Sequence, residues 1–188
     1  TIGHGRNAIL GDSISRIFEW NGYNVEREYY FNNAGRQMRV LGKSVYARYM
    51  ELLGLDFQIP DGGYEGEYIK SISKKIIDKY GKSLIDDKDN PIFKESAEQF
   101  IFNDIKKTLK KLGITFDLFF NENDLYDNNS INNVINELEN KNLIYKKDGA
   151  TWFKGTEVGR DTDRVIIKST GEPTYRLPDI AYHKNKYD

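Results

Sequence analysis

The sequence predicts an α/β fold, and three observations carry the prediction. A strand-like segment lies between two helical segments that each bear an apolar stripe. Of the 188 residues, 38% are hydrophobic and 13% aromatic, enough to fill a core. Gly, Pro and Asn clusters then cut the remainder into helices and short strands.

The first helix is expected over 3–20, where Ala8, Ile9, Ile14, Ile17 and Phe18 recur at spacings of three to five and Asn21-Gly22 supplies a stop. Residues 24–31 alternate as a strand, with Val25, Arg27 and Tyr29 on one face. The turn Asn32-Asn33-Ala34-Gly35 leads into a second helix over 36–53, with Met38, Leu41, Val45, Tyr49 and Leu52 on its stripe. Pro60 and Gly62-Gly63 make 54–64 a loop. Two helices follow: 65–79, with Ile69, Ile72, Ile76 and Ile77 inward, and 93–112, with Pro91 near its start and Gly113 at its end. A charged linker joins them. FDLFF is a short strand and NENDLYDNN a polar loop. A further amphipathic helix buries Ile131, Val134, Ile135 and Leu138. Strands are expected at 143–146, 151–153 and 164–168, and a last helix at 175–186. The composition shift near Ile114 sets the expected organisation: 1–115 as the first half of a larger domain, 116–170 as a small α+β insertion, and 171–188 as a return to that domain.

Bulk composition excludes several functions. Charged residues make up 30%, yet the formal net charge is −1, so no uniformly basic nucleic-acid coat exists, although local patches remain open. The absence of cysteine removes disulfides and cysteine-based zinc sites and fits a reducing, cytoplasmic setting. No run of about 18 apolar residues occurs, so no membrane partner is expected. The sequence begins without Met, directly on a functional-looking motif, which leads us to expect a fragment.

That motif is Thr1-Ile2-Gly3-His4-Gly5-Arg6. At a helix N-terminus, unsatisfied N–H groups and the positive dipole end favour anions. Glycine there lets a phosphate or an adenine ring approach the backbone, and His4 can donate to a phosphate oxygen. Alone, G-H-G is better explained as an ordinary glycine-rich helix start. A second constellation is Tyr175 and Asp179, whose i, i+4 spacing places both on one helix face. A carboxylate beside a phenol suits a guanidinium: Asp179 offers a forked acceptor and Tyr175 a hydroxyl or a ring face. Taken alone, the pair is better explained as a surface Asp beside a packing Tyr.

The run TIGHGRNAILGDSISRI resembles the H-I-G-H signature helix of class I aminoacyl-tRNA synthetases, and its G-R-N-A-x-x-G-D portion is similar to the arginine enzymes. GYNVEREYYFNNAGRQMRVLGKSVYARY, the DLYD loop, DGATWFKGT, DTDRVIIKS and STGEPTYRLPDIAYHKNKYD extend that resemblance over nearly the whole chain. It implies a partial Rossmann-like, HUP-type catalytic domain with a connective insertion. It also implies ATP-dependent activation of L-arginine to arginyl-adenylate, then transfer to tRNA(Arg), with Mg²⁺ accompanying ATP. On the same basis Thr1, Gly3, His4 and Gly5 would meet ATP, with His4 and Thr1 catalytic, and Tyr175 and Asp179 would hold the arginine side chain across a shared cleft. Lysine, lacking the fork, would leave such a carboxylate partly unpaired. Arginine activation would wait for bound tRNA. Two positions depart from the family pattern. Thr1 stands where the first His of H-I-G-H is usual and donates a hydrogen bond but no charge, and Asn33 stands where Asp is usual.

No lysine loop of the K-M-S-K-S kind is present, so the 188 residues alone are expected not to charge tRNA. Oligomeric state is not legible. Arg36, Gln37 and Arg39 read as a solvated turn. Arg160, Arg164 and Lys168 beside Trp152 and Phe153 suit either an RNA contact or a strand edge. His183 reads as structural, since two histidines and no cysteine cannot build a multi-ligand site of nitrogen and sulfur. Alternatives are another class I synthetase, or a non-catalytic binding or scaffold module derived from one.

Overall fold

The computed structural model describes residues 2–187. Its elements run α1 (Ile2–Trp20), β1 (Glu28–Phe31), α2 (Gly35–Leu52), α3 (Glu67–Tyr80), α4 (Pro91–Lys111), β2 (Leu118–Asn121), α5 (Asp124–Asp127), α6 (Ser130–Asn140), β3 (Ile144–Lys147), β4 (Ala150–Phe153), β5 (Arg164–Ile167) and α7 (Arg176–Tyr187). Strands β1 and β2 form one sheet, and β3-β4-β5 form another. The chain divides into two compact units, Thr1–Phe119 and Phe120–Asp188. No described helix is long and apolar enough to cross a membrane.

The first unit is organised by α2, α3 and α4. Leu41, Val45, Tyr49, Ile69, Ile72, Ile76, Phe93 and Ala97 form its core. Phe93 is met edge-on by Tyr46 and Tyr49, with centroids 5.2 and 5.4 Å away, a favoured arrangement of ring quadrupoles. Gly42 lets α2 approach α4 closely, since a Cβ there would lie 3.1 Å from Lys94 Cβ. Two hydroxyls in this core are satisfied. Ser73 Oγ donates to Val45 O at 2.8 Å, and Tyr49 Oη donates to Gly81 O at 2.7 Å. The stripes predicted on α2 and α3 hold except for Leu52, which is 44% exposed in the last turn of α2. Helix α4 starts at Pro91 because Asn90 caps it, its side chain accepting from Ile92 N at 3.0 Å.

Helix α1 forms as its periodicity predicts, yet none of its residues is buried: Ile9 is 50% exposed, Ile17 63% and Trp20 91%. The strand predicted over 24–31 is shorter than expected. Arg27 is drawn out of the ladder pattern, its N–H donating to Asp117 Oδ2 at 2.7 Å and its carbonyl accepting from Asp117 N and Leu118 N.

The second unit packs α5, α6 and α7 with the β3-β4-β5 sheet around Leu125, Ile131, Val134, Ile166, Leu177 and Ala181. The sheet is antiparallel, pairing Ile144 with Phe153 and Trp152 with Val165, and a bulge sits at Thr151/Trp152. The expected polar loop at 121–129 contains a short helix instead, because Leu125 is fully buried and pulls that turn onto the core. Residues 171–187 pack in this unit as well: Thr174 N donates to Ile166 O at 2.8 Å. Pro178 is tolerated in α7 because it sits in the first turn, where its missing N–H would have no partner.

Replacing Phe93 by Ala should destabilise the first unit by about 3–5 kcal/mol, the usual cost of emptying a buried aromatic site. Urea unfolding of wild type and variant measures it, and a loss below about 1 kcal/mol would contradict this account of the core.

Candidate functional site

Gly3, His4 and Gly5 fall in the first turn of α1, in the first unit. Thr1 lies outside the described residues. His4 is exposed, and a Cβ added at Gly5 would meet no atom within 4 Å. Packing therefore gives no reason for glycine at position 5, whereas close approach of a ligand to the backbone would. The first N–H groups of a helix lack intrahelical acceptors and carry partial positive charge.

Ion pairs fasten this helix to its unit. Arg27 Nε reaches Asp12 Oδ1 at 3.1 Å, and Arg27 Nη1 and Nη2 grip Glu19 at 2.6 and 2.9 Å. Arg16 bridges Asp12 at 2.6 Å and donates to Gly113 O at 3.1 Å. These contacts explain the titration of the cluster. The Arg16 hydrogen bond, with Arg27 assisting, holds the Asp12 carboxyl below its ordinary value, and the Arg27 hydrogen bond does the same for Glu19. The hydrogen bond to Glu19 in turn raises Arg27. No motif pointed to this cluster. Its signal in the sequence was the i, i+4 pair Asp12 and Arg16 on an expected helix.

Tyr175 and Asp179 lie in the second unit. Tyr175 immediately precedes α7, and the Asp179 amide donates to its carbonyl at 3.2 Å, so the two stand one turn apart as the spacing implied. Both are exposed, Tyr175 by 67%. The Arg176 guanidinium lies 4.7 Å from the Tyr175 ring centroid, which shows that this ring face accepts a guanidinium. Asp179 lines a cavity of about 460 Å³ together with Arg160, Asp161, Arg164 and Arg176. His183 Nδ1 contacts Asp179 O at 2.7 Å, in keeping with a structural role. In the first unit, Arg36, Gln37 and Arg39 are exposed on the first turn of α2, and Asn33 is 8% exposed.

One residue that lies in sequence between the lining residues Thr162 and Arg164 had no role in the sequence reading. Asp163 accepts from Thr156 N at 3.1 Å, Thr156 Oγ1 at 2.8 Å and Tyr145 Oη at 3.0 Å, and so pins the loop that carries Arg160 and Asp161. Gly155 is required in that loop, because a Cβ would sit 2.5 Å from Thr162 O. The Thr156 amide, then its hydroxyl, lowers the Asp163 carboxyl below its ordinary range.

The family model described as tRNA synthetases class I (R), catalytic domain, matches residues 1–188. An arginine–tRNA ligase of Desulfotalea psychrophila is 57% identical over 187 residues, covering 100% of this chain and 34% of that protein. One from Chlorobium phaeovibrioides is 51% identical over 193 residues, covering 100% and 35%. The chain thus spans about a third of the length of these relatives. Among solved structures, a Campylobacter jejuni protein provisionally assigned as an arginyl tRNA synthetase superposes with a TM-score of 0.85 at 33% identity, over 99% of this chain and 41% of that one. The Plasmodium falciparum arginyl-tRNA synthetase, at 18% identity and TM-score 0.69 over 99% and 32%, shares the fold.

Two predictions follow from these contacts. Because ion pairs rather than burial hold α1, Arg27→Ala should speed amide hydrogen exchange across Ile2–Trp20 and leave α2–α4 protected; unchanged exchange in α1 would show that something else holds it. A carboxyl lowered in the folded state stabilises above its unfolded value, about 4, and that contribution is lost as pH falls through the lower folded value. Asp163→Asn should therefore flatten the decline in melting temperature of the second unit below about pH 4, and an unchanged acid limb would contradict this.

Proposed function

Because the chain belongs to the class I arginyl-tRNA synthetase catalytic-domain family, we propose that it acts in arginine–tRNA ligation, with ATP, L-arginine and tRNA(Arg) as substrates. In the first step a carboxylate oxygen of arginine attacks the α-phosphorus of ATP. The bond to the bridging oxygen toward the β-phosphorus breaks, and pyrophosphate leaves. In the second, a terminal ribose hydroxyl of tRNA attacks the arginyl carbonyl and releases AMP. Such transfers depend on positioning and on stabilising charge on the phosphate oxygens.

The observation that carries this reading is the opening turn of α1: an exposed His4 beside a Gly5 whose missing side chain leaves open space. His4 and the first amides of α1 would bind the nucleotide phosphates, with Thr1 adding a hydroxyl donor. Mg²⁺ would arrive with ATP and share its charge. Asp179 would grip the guanidinium of arginine and Tyr175 would offer its ring face, the interaction that Arg176 already makes with it. Residues 1–115 and 171–188 would serve the catalytic domain, and 116–170 its connective insertion. A cytoplasmic setting fits this chemistry and the lack of cysteine.

In the longest natural reading frame that contains this chain, His4→Ala should lower kcat for arginylation by about 100-fold or more, as expected for a group that acts in the transition state. Asp179→Asn should raise the KM for arginine by about 10-fold or more, the loss of a charge-assisted hydrogen bond. Wild-type kinetics in both variants would remove these assignments.

A further inference from the structure

The α3–α4 pair carries a cavity of about 400 Å³ that the proposed chemistry does not use. Its floor is apolar, with Ile76 and Phe100 among its residues, and its rim carries Lys75 and Lys79 from α3 and Lys107 from α4. Lys75 and Lys79 stand one turn apart, about 6 Å along the axis. Among the described residues, none of the three ammonium groups is ion-paired with a carboxylate, and Asp104 is the single acid in the lining. Two of them instead rest against aromatic faces: Lys75 lies 5.6 Å from the Phe100 centroid and Lys79 5.0 Å from that of Tyr80. Lys106, the neighbour of Lys107 in α4, is 4.2 Å from both Phe102 and Phe119. Like charges around an open cavity repel one another, and an anion carrying several charges relieves that repulsion. Gln99 and Asn103 add neutral donors to the same wall.

We propose that this groove is a contact for the phosphodiester backbone of RNA, apart from the residues assigned to ATP and arginine. Phosphate contacts of this kind position an RNA without reading its sequence. The identity of that RNA as tRNA(Arg) rests on the ligase reading above, whereas the backbone contact itself does not.

The test compares wild type with the triple variant Lys75→Gln/Lys79→Gln/Lys107→Gln, again in the longest natural reading frame. The dissociation constant for transcribed tRNA(Arg) is measured between 50 and 200 mM salt, with about those limits chosen because counterion release is steep there. The variant should bind more weakly at low salt, and the slope of log affinity against log salt should be shallower by about 2 to 3, since each lost phosphate contact removes roughly 0.7 to 0.9. With tRNA at saturating concentration, KM values for arginine and ATP should not move. The matching Lys→Arg triple, which keeps the charges, should bind as wild type does; loss in both triples would indicate disturbed packing and overturn the proposal. A wild-type slope in the Lys→Gln triple would overturn it too, as would displacement of polyglutamate, but not of RNA, by the same substitutions. If wild type binds tRNA yet charges it with no arginine, the ligase reading fails and the groove stands. If charging is normal and the substitutions change nothing, the groove alone fails.

Discussion

The attachment of α1 to the first unit depends on one guanidinium. Helix α1 is apolar enough to be recognised by its period, yet none of its residues is fully buried. What holds it is Arg27, bound to Asp12 and Glu19, with Arg16 completing the link to Asp12 and to Gly113 O. The same Arg27 exchanges backbone hydrogen bonds with Asp117 and Leu118 at the start of β2. The turn bearing Gly3, His4 and Gly5 is thereby attached to its unit through charge rather than through apolar burial. Contacts of this sort are sensitive to salt, as buried packing is not.

Away from α1, stability comes from two separate cores. The α2–α4 core is built from residues whose periodicity was plain, with Leu41, Val45 and Tyr49 on one helix and Ile69, Ile72 and Ile76 on the next. These elements were legible because helical spacing and burial agree there. Where they disagree, sequence reading failed. Leu125 alone turns a polar stretch into a short helix, and a single apolar residue has no period to detect. Arg27 shortens β1 because its backbone and side chain follow partners about 90 residues away and on α1, which no local pattern reveals.

The candidate site was legible in the same uneven way. The G-H-G turn and the Tyr175/Asp179 spacing were visible because each is local, spanning one helical turn. Asp163 escaped notice, since its value lies in three donors supplied by Thr156 and Tyr145 that converge only after folding. The Arg176 guanidinium over Tyr175 was equally invisible, although the residues are adjacent, because ring-face contacts leave no trace in composition. The basic rim of the α3–α4 cavity was hidden by a net charge near zero: a local cluster of lysines is offset by acids of which Asp104 alone lines the cavity.

Under the proposed function, the protein that carries this chain serves arginine and no other amino acid. The most direct test of this is a panel in which the longest natural reading frame is incubated with ATP, total tRNA and each labelled amino acid in turn, and acid-precipitable label is counted. The account predicts label on tRNA with arginine alone, dependent on ATP. Label from a different amino acid, or none from any of them, would contradict it.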